Sequence, residues 1–531
     1  MIENLPFFFT IIVLIVLLNV WANKLKIAYP ILLVIAGLGI SFIPELPILH
    51  IDPDLIFFIF LPPLLFEASW NVSLKEMKKW WRIIGSFAFL VVLFTAFLVA
   101  IVSNHIIPGF SIALGFVLGG IVSPPDAVST GAITKFVKIP KSTSAILEGE
   151  SLLNDASSLI IFRFALITVG TGQFIWQDAI VDFVWMLIGG VGIGLIIAWI
   201  FMQVHKRLTT DAPSDIILTL IVPYIMYYIA EETHCSGVLA VVSGGLFMAS
   251  NQLNFLSSSS RLKGFNFWES FVFLLNGLVF FIIGLGLPEI VTGIKSNGIP
   301  IETAIGYGII VTIVLIVARI ISSYVAMFST IVFRPHVARN MNFNRRSFLS
   351  PLVLGWTGMR GVVSLAAALS IPLQLNGAPF PYRNLILFVT FVVILLTLVI
   401  QGLTLPYIIN KYKPFLGLEQ LEKEKEKGDA EMHLQIKKDL KQHVYLHIKE
   451  KYERDWIGHT GMERVLKHWE DQVNSQDIRW IDDNIKIVLL EMFEIQRDYL
   501  KELNKNPEIN EELIRQQIHQ IDLEEERIRY V

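Results

Sequence analysis

Long apolar runs separated by short polar or charged stretches dominate the first 410 residues. A bilayer core roughly 30 Å thick is crossed by about 20 apolar residues in a helix. Runs of that order fall at 5–22, 28–44, 54–70, 82–104, 111–134, 142–170, 178–203, 214–231, 237–252, 267–290, 301–333, 347–372 and 383–409. This pattern predicts an all-α polytopic membrane protein of about 13 transmembrane helices. The first run follows Met1-Ile2-Glu3-Asn4, which lacks the positive start of a cleavable signal, and Lys24 and Lys26 come after it; it reads as a retained span. From about Leu416 the pattern changes to Glu, Lys, Gln and Leu with helical periodicity near 418–454, 459–474, 480–505 and 509–530, the last two separated by Asn506-Pro507. In this tail Ile485, Ile487, Leu489, Leu490, Met492, Phe493, Ile495 and Leu500 form an apolar stripe suited to a small helical domain or a partner. A solvated helical extension is the plainer alternative.

Composition sharpens the division. Hydrophobic residues make up 54% of the chain and mean hydropathy is +0.60, as expected of a membrane class. Residues 1–410 carry 41 of the 89 Asp, Glu, Lys and Arg, and the last 121 residues carry 48. The expected domains are therefore 1–410 in the membrane and 411–531 as a cytoplasmic helical tail with a possible regulatory role. A net charge of −3 provides no basic stripe for phosphates, so nucleic acid is excluded as a partner. Cys235 is the single cysteine, which excludes an intramolecular disulfide and a Cys-rich metal site. One set of alternating loops holds seventeen Lys and Arg, from Lys24 and Lys26 to Arg345 and Arg346, and the other only Lys295 and Arg383. The positive-inside bias then puts the N-terminus outside and the tail in the cytoplasm.

Spans 1–6 and 8–13 are two sets of six that start on opposite sides of the membrane, the arrangement of an inverted-topology repeat. The fifth and twelfth spans occupy matching places and are the most interrupted, at Ile121-Val122-Ser123-Pro124-Pro125-Asp126-Ala127 and Gly355-Trp356-Thr357-Gly358-Met359-Arg360-Gly361. Pro124 and Pro125 remove helical hydrogen bonds and free carbonyls, which membrane depth tolerates only beside protein or a water-filled cavity. Two kinked packing helices are the duller reading of the same breaks. Ionisable residues within spans are costly and mark ion or proton pathways. In span six Ser151 and Asp155 are one turn apart, as are Glu150 and Asn154. At about 1.5 Å per residue, Asp155, Arg319 and Arg360 fall near mid-membrane in three spans, with Asp126 somewhat nearer the inside. Plainer roles exist: Glu148 as a solvated or capping acid, Arg163 snorkelling outward, Glu67 and Glu269 as interfacial acids, and Asp155 as a buried acid satisfied by Arg319 or Arg360.

These residues resemble the monovalent cation:proton antiporters, a family that includes bacterial sodium/proton antiporters and animal sodium/proton exchangers. The resemblance covers most of residues 1–410. It is carried by Leu61-Pro62-Pro63-Leu64-Leu65-Phe66-Glu67-Ala68, Ser123-Pro124-Pro125-Asp126-Ala127-Val128, Glu148-Gly149-Glu150-Ser151-Leu152-Leu153-Asn154-Asp155-Ala156, Gly358-Met359-Arg360-Gly361 and Gln401-Gly402-Leu403-Thr404. It implies that Asp155 alternately binds cation and proton, that Asn154 is its partner in the Asn-Asp pair of electroneutral members, and that Ser151 and Asp126 are further site residues. It also implies a structural ion pair between Glu150 and an arginine of span eleven, where Arg319 is the only basic candidate, and a supporting role for Arg360 beside the broken twelfth span. Many members carry Thr-Asp-Pro where this chain has Pro125-Asp126-Ala127, so a threonine ligand is lost and cation preference does not carry over.

The function so implied is secondary active antiport of a monovalent cation, sodium first, for a proton, serving pH homeostasis from a bacterial inner (plasma) membrane. The transporter is expected to be a homodimer in lipid, with no cofactor beyond the transported Na+ and H+. A K+/H+ antiporter and a passive cation channel are the alternatives, but a channel has no need of an acid beside an Asn with two broken repeat helices. Subunits of proton-pumping complexes favour lysines within spans, and none lies inside one here. No His-Glu-x-x-His, Gly-x-Ser-x-Gly or phosphate-binding loop supports an enzyme, and no glycine fingerprint follows a strand in the tail.

Overall fold

The computed structural model describes residues 5–43, 53–126, 141–173, 176–208, 211–296, 299–333, 345–375, 377–416, 483–506 and 509–529, with shorter helical pieces between 428 and 447. Its helices are α1 (Leu5–Leu25), α2 (Tyr29–Ile40), α3 (Pro53–Asn71), α4 (Leu74–Ile106), α5 (Ile112–Val122), α6 (Lys141–Thr171), α7 (Trp176–Arg207), α8 (Ala212–Glu232), α9 (Gly237–Asn251), α10 (Ser258–Leu285), α11 (Leu287–Ser296), α12 (Ile301–Phe333), α13 (Arg345–Trp356), α14 (Val362–Leu369), α15 (Arg383–Ile409), α16 (Asp483–Asn504) and α17 (Glu511–Arg529). One two-residue hairpin pairs β1 (Gln374–Leu375) with β2 (Ala378–Pro379). Seven helices among the described residues are long and apolar enough to cross a membrane, and α1, α2 and α5 are shorter apolar helices. The protein is a multi-pass membrane protein.

Local chemistry sets the helix ends. Ser73 caps α4 by accepting the Glu76 N–H at 3.2 Å, and Ser111 caps α5 by accepting the Leu114 N–H at 3.2 Å. Two π-helical turns, Ser86–Val91 within α4 and Thr397–Gln401 within α15, were not readable from hydropathy, because inserting one residue into a turn leaves an apolar run apolar. α5 stops at Val122, where Pro124 and Pro125 supply no N–H, and α13 stops at Trp356, before α14 resumes at Val362. The remainder of the expected fifth span, 127–134, lies outside the described residues.

The chain divides into two compact units, Met1–Thr209, Ile217–Asn251 and Trp268–Leu418 in the first and Thr210–Ile216, Gln252–Phe267 and Glu419–Val531 in the second. In the first unit one apolar cluster joins α1, α2, α10, α14 and α15, and another joins α4, α5, α6, α11, α12, α14 and α15.

In the second unit Leu489, Met492, Phe493 and Leu500 of the tail stripe are buried with Ile514, Ile521 and Ile528 of α17, and Leu490 and Ile495 pack against them. Ile487 departs from the expected stripe and is exposed, because Val488 takes the inward position beside Leu489. The expected helix at 459–474 lies outside the described residues. A buried charge cluster joins this tail to the first turns of α10. Arg497 pairs with Asp522 at 2.9 Å and with Glu525, Arg261 pairs with Asp522, and the Ser258 hydroxyl donates to Glu525 at 2.5 Å. Burial by itself lowers an arginine, yet the hydrogen bond and charge of Glu525 and the charge of Asp522 hold Arg497 above its ordinary value.

Among the described residues, removing Arg497 leaves buried Asp522 to Arg261 alone and buried Glu525 with the Ser258 hydroxyl but no paired cation, which is costlier than losing an exposed pair. Arg497→Ala is therefore expected to speed tryptic cleavage within residues 483–529 of the full-length protein, whereas Glu502→Ala, which removes an exposed pair with Lys505, leaves the rate unchanged.

Candidate functional site

α6 carries most of the polar side chains of interest, and the two helix breaks face it. Glu150, Asn154 and Asp155 are buried and Ser151 is half-buried. Arg319 of α12 donates to both oxygens of Glu150, at 2.6 and 2.9 Å, with the two side chains 3% and 1% exposed. This is the bidentate geometry that makes an Arg–carboxylate pair strong and directional. The Asn154 amide donates to the Pro125 carbonyl at 3.3 Å, one of the carbonyls exposed where α5 unwinds. Pro124 and Pro125 are buried and Asp126 is half-buried.

Arg360 is fully buried, and its partners are backbone carbonyls. Nε donates to Val122 at 2.9 Å, Nη2 to Ser123 at 3.4 Å and Nη1 to Gly358. The guanidinium thus caps the open end of α5 and its own broken helix together. A cation at the C-terminal end of a helix also meets its negative dipole end. The two breaks touch directly: the Asp126 N–H donates to the Met359 carbonyl at 2.7 Å. A Cβ at Gly361 would collide with the Asp126 side chain, so a larger residue there would displace that carboxylate. Thr397, at the start of the π turn, accepts the Arg360 N–H at 3.2 Å, and Thr404 accepts from Trp356 Nε1 at 3.0 Å.

The arginines do not satisfy Asp155. Arg319 is taken by Glu150 and Arg360 by carbonyls, which overturns the alternative of Asp155 as one half of a structural ion pair. Asp155 is 7% exposed. Among the described residues no hydrogen bond or ion pair reaches its carboxylate, and Asn154 Oδ1 and Ser123 Oγ are buried without a partner. A carboxylate and neutral oxygens of this kind are the donor set that suits a hard monovalent cation.

Other charged residues also find their places. Glu148 is exposed and accepts from the Ser144 hydroxyl at 2.7 Å. Glu67 accepts from Asn71 at 2.5 Å, and Glu269 is exposed. Arg163 does not snorkel; it pairs with Glu231 of α8. Sequence reasoning missed that pair because Glu231 closes a span, where an acid ordinarily reads as interfacial. It missed Thr397 as well, although Thr397 stands four residues before the Gln401-Gly402-Leu403-Thr404 motif.

Comparison with known proteins agrees over the membrane unit. A family model described as "Sodium/hydrogen exchanger, transmembrane" matches residues 10–411. A sodium, potassium, lithium and rubidium/H(+) antiporter of Bacillus pumilus is 33% identical over 399 residues, covering 73% of this chain and 59% of the relative. This chain therefore spans about three fifths of that protein's length. The Na(+)/H(+) antiporter ApNhaP of Aphanothece halophytica is 32% identical over 394 residues, 73% of this chain and 70% of the relative. Among solved structures, the sodium proton antiporter MjNhaP1 from Methanocaldococcus jannaschii at pH 8 superposes with a TM-score of 0.59 at 18% identity, covering 77% of this chain and 98% of that one. That likeness is one of fold.

Proposed function

Because the chain belongs to the family of transmembrane sodium/hydrogen exchangers, whose members are transporters and not enzymes, we propose that it exchanges one monovalent cation, sodium first, for one proton at Asp155. The observation that carries this reading is a buried carboxylate with no countercharge among the described residues; Asn154 Oδ1 and Ser123 Oγ are likewise buried without a partner. A charge in such a place must be balanced, and a proton and an oxygen-coordinated cation do so in mutually exclusive ways. Competition for Asp155 then couples the two fluxes.

In this reading Asn154, Ser151 and Asp126 complete the cation site, Glu150 and Arg319 hold α6 to α12, and Arg360 with Pro124 and Pro125 shapes the crossing of the two broken helices. Residues 1–410 form the exchanger as 13 spans with two inverted six-helix repeats, and 411–531 the cytoplasmic tail, with the N-terminus outside. The bundle holding the broken helices moves against the rest to present Asp155 to each side in turn. A homodimer in a bacterial inner membrane is the expected setting. The named cations of the Bacillus relative make potassium, lithium and rubidium necessary members of any substrate panel.

The test is exchange in sealed proteoliposomes. With one titrating carboxylate per crossing, sodium-driven proton flux is expected to be unchanged when a membrane potential is clamped with potassium and valinomycin. A flux that follows voltage would overturn one-for-one exchange and point to Asp126 as a second proton carrier.

A further inference from the structure

The ion pair between Arg163 and Glu231 has no part in the site described above, yet it stands on the same helix as Asp155. Leu159 lies one turn beyond Asp155 along α6, and Arg163 lies two turns beyond, about 12 Å toward the Thr171 end. There a cavity of about 430 Å3 is lined on one side by Leu159, Phe162 and Arg163 and on the other by Phe58 of α3 and Tyr227 and Glu231 of α8. The Arg163 and Glu231 side chains are 37% and 27% exposed, so the pair stands at the edge of this space and is not sealed in a core.

The packing around it is uneven. α6 packs chiefly against α4 and α5, and α9 packs chiefly against α7 and α3, while α6 meets α9 and α3 only lightly. Arg163–Glu231 therefore reaches from the group of α4, α5 and α6 to the turn that leads into α9, across a seam where α6 meets α9 and α3 only lightly. Its two halves differ in freedom. Glu231 is held by the turn between α8 and α9, where its other oxygen accepts the Gly237 N–H at 3.1 Å and His234 takes a left-handed backbone conformation, φ 57°. Arg163 is a long arm reaching from α6.

We propose that Arg163 and Glu231 are positioning residues of the transport cycle, forming a latch that ties the helix bearing Asp155 to the α8–α9 turn. The latch breaks each time Asp155 is exposed to the side of the membrane at which the Thr171 end of α6 emerges. The inference rests on the antiport reading. An interaction present in one of two states shifts their balance by its own free energy, and the apparent affinity on each side scales with the fraction of sites open to it. Losing the latch raises the fraction open to the Thr171 side. Being partly exposed, the pair is worth a modest factor.

In sided vesicles, Arg163→Ala and Glu231→Gln are each expected to lower the cation KM on the Thr171 side by about two- to fivefold, with KM on the opposite side unchanged or raised. The double variant is expected to match either single, since both delete one latch. A purely structural role would lower Vmax and leave both KM values in place, and additive effects in the double would separate the two residues; either result overturns the proposal. A second measurement does not depend on KM. In a Cys235→Ser background, Arg163→Cys with Glu231→Cys, bridged by a short bis-methanethiosulfonate linker, is expected to stop exchange until dithiothreitol cuts the linker. Unimpeded exchange by the bridged protein would overturn the latch. Absence of exchange in the unmodified wild-type vesicles would instead defeat the antiport reading itself.

Discussion

Asp155→Asn is expected to abolish cation-driven proton exchange and to leave the protein inserted and folded. The amide has the shape of the acid and still offers an oxygen, but it cannot carry the proton whose exchange for a cation couples the fluxes. The cost to the fold is small because no described partner loses a hydrogen bond; the Ser158 hydroxyl binds the main-chain carbonyl of residue 155, at 3.0 Å, and not its side chain. Replacing a buried charge with a neutral group also removes a desolvation penalty. The measurement is proton flux in proteoliposomes against protein-free liposomes, with elution from a sizing column as the check on folding. Flux near the wild-type level would move the site to another residue, Asp126 being the nearest candidate by sequence motif.

Glu150→Ala is expected to be the most destabilising single change in the region. Arg319 is 3% exposed in its side chain and directs both Nη1 and Nη2 at Glu150, while its Nε is already without a partner among the described residues. Removing the acid leaves an uncompensated buried guanidinium, a loss of about 3–5 kcal/mol in soluble proteins. Ser151→Ala, next along the helix, removes a hydroxyl only and is expected to cost far less. Thermal unfolding in detergent tests the order of the two. Arg319→Ala in addition to Glu150→Ala is expected to recover part of the loss, because no lone charge then remains. A double variant no more stable than the sum of the singles would show that the two residues do not act as partners.

The sequence by itself determined where apolar helices run, because crossing or burying a helix demands a length of hydrocarbon surface that any local window reveals. It also determined where two of them break, since Pro124 and Pro125 cannot donate hydrogen bonds and Gly358 and Gly361 admit close neighbours wherever they fold. The polar stripes of span six were legible for the same reason: 3.6 residues per turn is a local rule, and Glu150, Ser151, Asn154 and Asp155 obey it without reference to the rest of the chain.

Only the tertiary structure decided what these groups meet. The depth count that put Asp155, Arg319 and Arg360 at one level could not say that Arg319 would turn to Glu150 and Arg360 to the carbonyls of Val122, Ser123 and Gly358. A carbonyl freed by a broken helix is a strong acceptor, yet it has no letter in the sequence. Arg163 and Glu231 lie 68 residues apart, and Ser258 and Glu525 lie 267 apart. Each of those four reads alone as an ordinary polar residue near the end of an apolar run or in the tail. Their pairing depends on which helix ends the fold brings together, and that is set by packing summed over the whole chain, not by any property of the short stretches that contain them.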